Sequence, residues 1–375
     1  MFHVKQWFTE LRATLTGPVL RFYHEKDRTA MPTSRQLIYL VLAASTSAGA
    51  SDLPSISFSH KDWELACDNT RTCRAAGYHA EDDGPNGTIL LTRSAGPNQP
   101  VTAQLQLADD EQHPAPRQLT LTVDGHDMGT VSVDAKSNIG NLSPAQVQAL
   151  LPALLKDGRI AWQAKGTTWT ISTAGANAVL LKMDEFQGRL ATPGALVRKG
   201  NRPETSVPPP LPAPEIKAAA VIHDSKPATL TMAQTRDLMA ALRKTVKDGS
   251  CELVDRKSEG ADTLDVHRLT KNELLVSHAC WTAAYNSGDG YWVVYTEPPY
   301  SAVLVTTSAT DYDDGVISSM QKGRGIGDCI GTATWTWDGK SFVQTSAATT
   351  GMCRQIAAGG AWELPTLVTR VHKAR

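Results

Sequence analysis

The sequence predicts a mainly β fold with a few packing helices, an α+β arrangement in which two antiparallel β-rich domains are stapled by disulfides. Three observations predict it. Short alternating runs recur with turn residues between them, the spacing of antiparallel strands. Six cysteines, Cys67, Cys73, Cys251, Cys280, Cys329 and Cys353, form an even set without a CxxC pair. That points to cystines rather than to a zinc ribbon or a thioredoxin-like pair. A proline-rich stretch over residues 200–228 divides a chain of 375 residues, a length that suits about two domains.

The strongest local signal is a hairpin near the C-terminus. Thr332–Trp337 and Ser341–Thr345 both alternate small or polar residues with bulky ones, and Asp338-Gly339 lies between them. Asp and Gly tolerate the positive φ of a tight turn. Cys329 precedes the first strand and Cys353 follows the second, so a hairpin brings the two thiols toward each other.

At the other end, residues 31–50 read MPTSRQLIYLVLAASTSAGA. Arg35, the short apolar run Leu37–Ala44 and the small-residue site Ala48-Gly49-Ala50 are the parts of a secretory signal peptide. The apolar run is shorter than the roughly 20 residues a membrane span needs. Residues 1–30, with Trp7, Glu10, Glu25 and Asp27, obstruct such a signal. The expectation is translation from Met31, with 1–30 a gene-model extension. The mature, soluble, exported chain then begins at Ser51. No cysteine stands at the cleavage point, so a lipoprotein anchor is not indicated.

Residues 51–199 form the first expected domain. Phe58, Trp63, Leu65 and Cys67 include an alternating set. Asp68-Asn69 offers a turn, and a Cys67–Cys73 bridge pins it. A metal site of Cys67, Cys73 and His79 is the alternative, disfavoured in an oxidising compartment. Strands are expected at Thr88–Arg93, Val101–Leu107, Gln118–Val123 and Thr130–Asp134. A helix opens on Ser143 and Pro144 and closes by Gly158, with Val147, Leu150, Leu151, Leu154 and Leu155 on one face. Strand character returns over Arg159–Ile171, and a second helix spans Ala176–Gln187. Residues 200–228, with Pro203, Pro208, Pro209, Pro210, Pro212 and Pro214, favour extended polyproline II and a semi-rigid spacer.

Residues 229–375 form the second expected domain, rich in disulfides. A helix covers Leu230–Asp248, carried by Leu238, Met239, Leu242 and Val246. Strands follow at Asp262–Arg268, Asn272–Ser277, Tyr291–Tyr295 and Val303–Thr307, and an edge strand ends the chain. Six thiols leave the connectivity open. Pairing neighbours in sequence, Cys251–Cys280 and Cys329–Cys353, is the preferred arrangement.

Chemistry is harder to find. The formal net charge is -1 and no lysine-arginine run stands out, so nucleic acid has no electrostatic footprint. No basic amphipathic helix suits a membrane surface, and no stable membrane insertion is expected once the signal is cleaved. HExxH, GxSxG and Walker signatures are absent. Gly323, Gly325 and Gly327 make GxGxG, but a cysteine and a strand follow where a dinucleotide loop needs a helix. DYDDG at Asp311–Gly315 lacks the alternating ligands and final glutamate of an EF-hand. His267 and His278 have no sequence-adjacent partner, and structural histidines are the ordinary explanation. Tyr285, Tyr291, Trp292, Tyr295, Trp335 and Trp337 are dense for one domain. Core packing accounts for such a set; an exposed subset on one face stacks on sugar or peptide. No catalytic, cofactor-binding or metal-binding residues are assigned.

As a set, four blocks resemble the domain-of-unknown-function family numbered 1176. They are DWELACDNTRTCRAAGY, MDEFQGRLATPGALVRKG, HACWTAAYNSGDGYW, and the C-terminal GIGDC, TWTWDGKSF and GMCRQIAAGGAWELPTL. The first domain resembles, more weakly, the invasion-associated locus B proteins, which share a Trp-x-x-x-Cys opening. The family resemblance implies exported bacterial proteins of the Gram-negative envelope, hence the periplasm, with the six cysteines as cystines. It implies no activity, cofactor or catalytic residue. The expected function is a non-enzymatic binding or interaction module of the cell envelope, for an envelope protein or glycan. A hydrolase or inhibitor acting on envelope polymers is the alternative.

Overall fold

The computed structural model describes residues 54–80, 85–108, 115–223, 230–247, 249–255 and 263–373. The expected leader and its cleavage point lie outside them. Strands dominate, and all the described residues pack in one unit.

The chain begins as an antiparallel meander of β1 (Ile56–His60), β2 (Trp63–Cys67), β3 (Cys73–Tyr78), β4 (Gly87–Arg93) and β5 (Val101–Leu107). Next come β6 (Gln118–Val123) and β7 (His126–Ser132), a hairpin, then β8 (Ile139–Asn141), which returns to pair with β5. Helix α1 (Pro144–Leu154) starts in a full capping box. The Ser143 hydroxyl accepts from the Gln146 amide, and the Gln146 side chain accepts from the Ser143 amide, satisfying two otherwise orphaned donors. The hairpin β9 (Ile160–Ala164) and β10 (Thr167–Ile171) turns at Lys165-Gly166, both at positive φ. The second sheet runs β10-β9-β6-β7. Helix α2 (Ala176–Phe186) closes this part.

The first sheet is buried on both faces, which is why β2 and β3 are not cleanly alternating. One face sends Trp63, Leu65, Ala75, Ile89 and Leu91 into the core shared with the second sheet and α1 and α2. The other sends Ala66, Ala76, Tyr78 and Leu90 against Ile356, Trp362 and Leu364 from the C-terminal end.

The described part of the proline-rich segment holds a 3-10 turn at Glu204–Ser206 and otherwise irregular backbone up to residue 214, hydrogen-bonded at intervals. Leu211 donates to Thr70 O, and Arg71 Nη1 donates to Pro209 O. A short strand β11 (Glu215–Lys217) follows. Helix α3 (Met232–Arg243) has the same capping box, from Thr231 and Gln234. Helix α4 (Glu252–Asp255) is a single turn the sequence pattern did not reveal.

A third sheet runs β12 (Asp265–Arg268), β13 (Glu273–Thr282), β14 (Ser287–Tyr295) and β15 (Ala302–Ala309) in sequence order. The fourth runs β16 (Asp311–Asp313), β17 (Val316–Lys322), β18 (Ile330–Trp337), β19 (Phe342–Thr349) and β20 (Leu364–Leu367). Strand β21 (Arg370–His372) pairs in parallel with β11. Val266, Leu274, Val276, Trp292 and Val294 face α3 and α4. Leu275, Tyr291 and Val293 face the fourth sheet through Ile317, Trp337 and Phe342. Among the described residues no helix is long and apolar enough to cross a membrane.

Three cystines tie these elements. Cys67–Cys73 bridges β2 and β3 where the two residues are register partners, with Cα atoms 4.0 Å apart. Cys251–Cys280 fastens α4 to β13, Cα 4.3 Å apart. Cys329–Cys353 closes the base of the β18–β19 hairpin, Cα 4.9 Å apart. The hairpin itself turns over Asp338–Ser341, whose Asp338 carboxylate accepts from the Lys340 and Ser341 amides.

Candidate functional site

The alternation of β14, β18 and β19 decides which aromatics reach solvent. Trp292 points to the helices and is fully buried, and Tyr291 and Trp337 fill the interface between the third and fourth sheets. Tyr285 is exposed and lies apart from the others, its hydroxyl 3.4 Å from Gly323 O. That leaves Tyr295 and Trp335, which the fold brings together.

They line a groove of about 250 Å³ between the third and fourth sheets. Val293 and Tyr295 of β14 and Val303 and Val305 of β15 form one wall. Trp335 of β18 and Phe342 and Gln344 of β19 form the other. Glu273 and Lys340 bring opposite charges to the same groove. Tyr295 is 55% exposed and Val303 63% exposed, so the groove presents apolar surface to solvent. Glu273 Oε2 accepts from Thr270 Oγ1 at 3.0 Å, fixing the carboxylate. Phe342 lies in the expected second strand of the hairpin, and the structure pairs it with Trp337 across the strands. Val303 and Glu273 fall in strands the alternation predicted, but nothing in the sequence marked them, or Lys340, as groove residues.

Two other hollows are chemically plainer. A broad trough of about 1030 Å³ lies on the second sheet, floored by Gln118, Thr120, Thr130 and Gln163 with Arg117 and Lys165 at its sides. Another, of about 350 Å³, is lined by small side chains such as Ala66, Ser319, Ala333 and Ala347.

Neither His267 nor His278 lines any of the three. His267 is exposed against Tyr312, ring centroids 4.8 Å apart. His278 is half-buried with Nδ1 2.6 Å from Ala279 O. His79 is buried with Nδ1 3.2 Å from Gly87 O, and the sulfurs of Cys67 and Cys73 are spent on each other. The GxGxG run is a turn between β17 and β18. A Cβ on Gly323 there would stand 2.6 Å from Cys329 Sγ and 3.0 Å from Cys353 Sγ, so the cystine needs glycine. DYDDG is the β16–β17 hairpin, turning at Asp314-Gly315 with both residues at positive φ.

Most strongly perturbed ionisable groups serve the scaffold. Asp184 accepts from the Leu196 and Val197 amides and lies 3.6 Å from Arg93 Nη1, an ion pair without a hydrogen bond between those atoms. Burial, with Arg189 beside it, pushes Arg93 down to about 10, and burial pushes the Asp184 carboxyl up. Fully buried Arg189 donates to Gln187 Oε1, Glu204 Oε1, Ser94 O and Gly96 O. The MDEFQGRLATPGALVRKG block is thus a polar clamp around the β4–β5 turn. Buried charges held this way are expensive unless every partner is in place.

The chain is 28% identical over 344 residues to the uncharacterized protein YpfG of Escherichia coli (strain K12), covering 82% of this chain and 92% of that one. No solved structure matches it. The weaker likeness of residues 51–199 to invasion-associated locus B proteins has no counterpart in these matches. A family match spans residues 57–369, from β1 to the last loop before β21 and through all six cysteines. The chain belongs to the family described as "Protein of unknown function (DUF1176)".

Proposed function

We propose that the protein is a non-enzymatic binding module of the cell envelope, exported to the periplasm and taking an envelope protein or glycan in the groove at Tyr295, Trp335 and Phe342. The groove carries this reading. Aromatic faces flanked by a few polar groups suit sugar rings and peptide side chains alike. Three cystines fit an oxidising compartment. The hydrolase alternative finds less support: His278 lies close enough to Asp289 to act on its carboxylate electrostatically, but among the described residues neither His267 nor His278 lines any of the three hollows. The division into domains at 200–228 belongs to the same proposal, and limited proteolysis of the oxidised chain tests it.

The test of function is binding of the oxidised chain to envelope polymers and to periplasmic proteins crosslinked in the natural host. Tyr295→Ala and Trp335→Ala are expected to weaken capture while circular dichroism and melting stay close to the parent. Unchanged capture by both variants would remove the groove from consideration. N-terminal sequencing of the natural protein tests export, with Ser51 as the expected first residue.

A further inference from the structure

The groove has one wall with unused hydrogen-bonding capacity. Strand β15 ends the third sheet and among the described residues pairs only with β14. At eight residues it is the longest edge strand among the described residues. Its sequence, AVLVTTSA, contains neither charge nor proline. Edge strands of natural proteins are usually blunted by one or the other. Here β12 carries Asp265 and Arg268, β16 carries two aspartates, and β20 carries Pro365.

The register says which groups are unused. The Tyr295 amide donates to Ser301 O, which makes that pair a hydrogen-bonded one. Bonded and non-bonded pairs alternate along an antiparallel ladder. Val293–Val303 is therefore bonded, and at the non-bonded pairs Val294–Ala302 and Trp292–Leu304 the N–H and C=O of Ala302 and Leu304 face outward. Beyond them the edge is occupied, since Ser308 O accepts from Ser319 Oγ and Gln321 Nε2. The open stretch is the one that borders Tyr295, Trp335 and Phe342.

Resting on the groove as the binding site, we propose that its occupant is an extended segment of a partner polypeptide, added as a fifth strand to β15. A backbone supplies donors and acceptors in the alternation that Ala302 and Leu304 require, and every second side chain falls on the groove side. Charge sets the rest of the occupant. Its centre is apolar, with a basic residue near Glu273 and an acidic residue near Lys340.

The test uses the full oxidised chain and the peptide acetyl-Lys-Val-Thr-Val-Thr-Val-Glu-amide. Two companions are N-methylated on one or the other alternate set of amides. Amide exchange at Ala302 and Leu304 is followed, with Val303 as the internal control. Strand addition slows exchange at Ala302 and Leu304 only. It also makes one methylated companion bind about tenfold or more weakly, while the other binds like the parent. Ala302→Pro, which removes an outward N–H and no ladder bond, weakens the peptide similarly. Equal binding of both companions, or no protection at Ala302 and Leu304, overturns the proposal. If a muropeptide or a second copy of the chain occupies the groove, lost in Trp335→Ala, and the peptide does not, strand addition fails while the groove stands. If no probe responds to Trp335→Ala, both readings fall.

Discussion

The indole of Trp362 donates Nε1–H to Thr88 Oγ1 at 2.9 Å, a buried bond between residues 274 positions apart. The same hydroxyl donates to Gly77 O at 2.8 Å, so Thr88 joins β3, β4 and the C-terminal segment at one point. Arg354 Nη2 to Asp62 Oδ1 at 2.8 Å and the Met352 amide to Glu64 Oε1 at 2.6 Å hold the same junction. Thr88→Val keeps the shape and removes the acceptor. It is expected to cost about 1–3 kcal/mol, the penalty for an unpaired buried donor. Thr88→Ser is expected to recover most of it, and denaturant melts of the two variants check the difference.

The cystines close loops of different size, the Cys67–Cys73 bridge spanning only 6 positions. Cys329–Cys353 and Cys251–Cys280 span 24 and 29 positions. On the chain-entropy model each restricts the unfolded chain by about 3–4 kcal/mol, a large part of a domain's stability. A strong reductant should lower the melting temperature sharply, and the paired variant Cys329→Ser/Cys353→Ser should reproduce part of the fall. An unchanged melt in reductant would make both bridges incidental.

Gly323 and Gly325 separate packing from turn flexibility. Gly323→Ala pushes a methyl into the Cys329–Cys353 sulfurs, whereas a Cβ on Gly325 meets only Tyr285 Cδ1, at 3.6 Å. Free-thiol titration after oxidative refolding should find incomplete closure in Gly323→Ala and none in Gly325→Ala.

Glu64 and Asp328 should pull stability in opposite directions with pH. Burial raises the Glu64 carboxyl, against the bonds it accepts from Tyr78 and Met352. A raised folded value means that its contribution is present below the unfolded pKa and lost as pH climbs through the folded one. Hydrogen bonds from Arg324 hold Asp328 low, aided by the Gln355 amide and opposed by desolvation. Its contribution is present above the ordinary carboxylate range and lost as pH falls through the depressed value. Relative to the parent, Glu64→Gln should gain stability as pH rises through the raised value. Asp328→Asn should close its deficit as pH falls. Urea midpoints across the acid range measure both slopes.

Asp184→Ala leaves Arg93 buried without its counter-charge and frees the Leu196 and Val197 amides. Breaking a buried pair in this way costs about 3–5 kcal/mol. The loss should be visible as a lower denaturant midpoint with no change in groove binding, since this cluster lies in the first core.

Local order was largely legible. Ser143 with Pro144, the helical spacing of Leu238, Met239, Leu242 and Val246, and the alternation of TWTWDGKSF around its Asp338-Gly339 turn all act over a few positions, and strands and helices stand close to where they specify. Strand β17 was missed because VISSMQK is too polar to stand out. It is a central strand whose ladder bonds, to β16 and β18, come from its neighbours. Helix α4 is too short to show a period, and Cys251–Cys280 fastens it.

The sequence by itself determined the β-rich class, the helix starts, the hairpin and cystines between neighbouring cysteines, because these depend on backbone preference and on chain distance. Only the tertiary structure decided that Trp362 meets Thr88, that Trp337 is buried and Trp335 half open, and that β15 borders the groove with unpaired backbone groups. Those outcomes depend on which faces of separate sheets come together. A pattern of alternation marks that a face exists, and the partner that covers it lies hundreds of residues away along the chain.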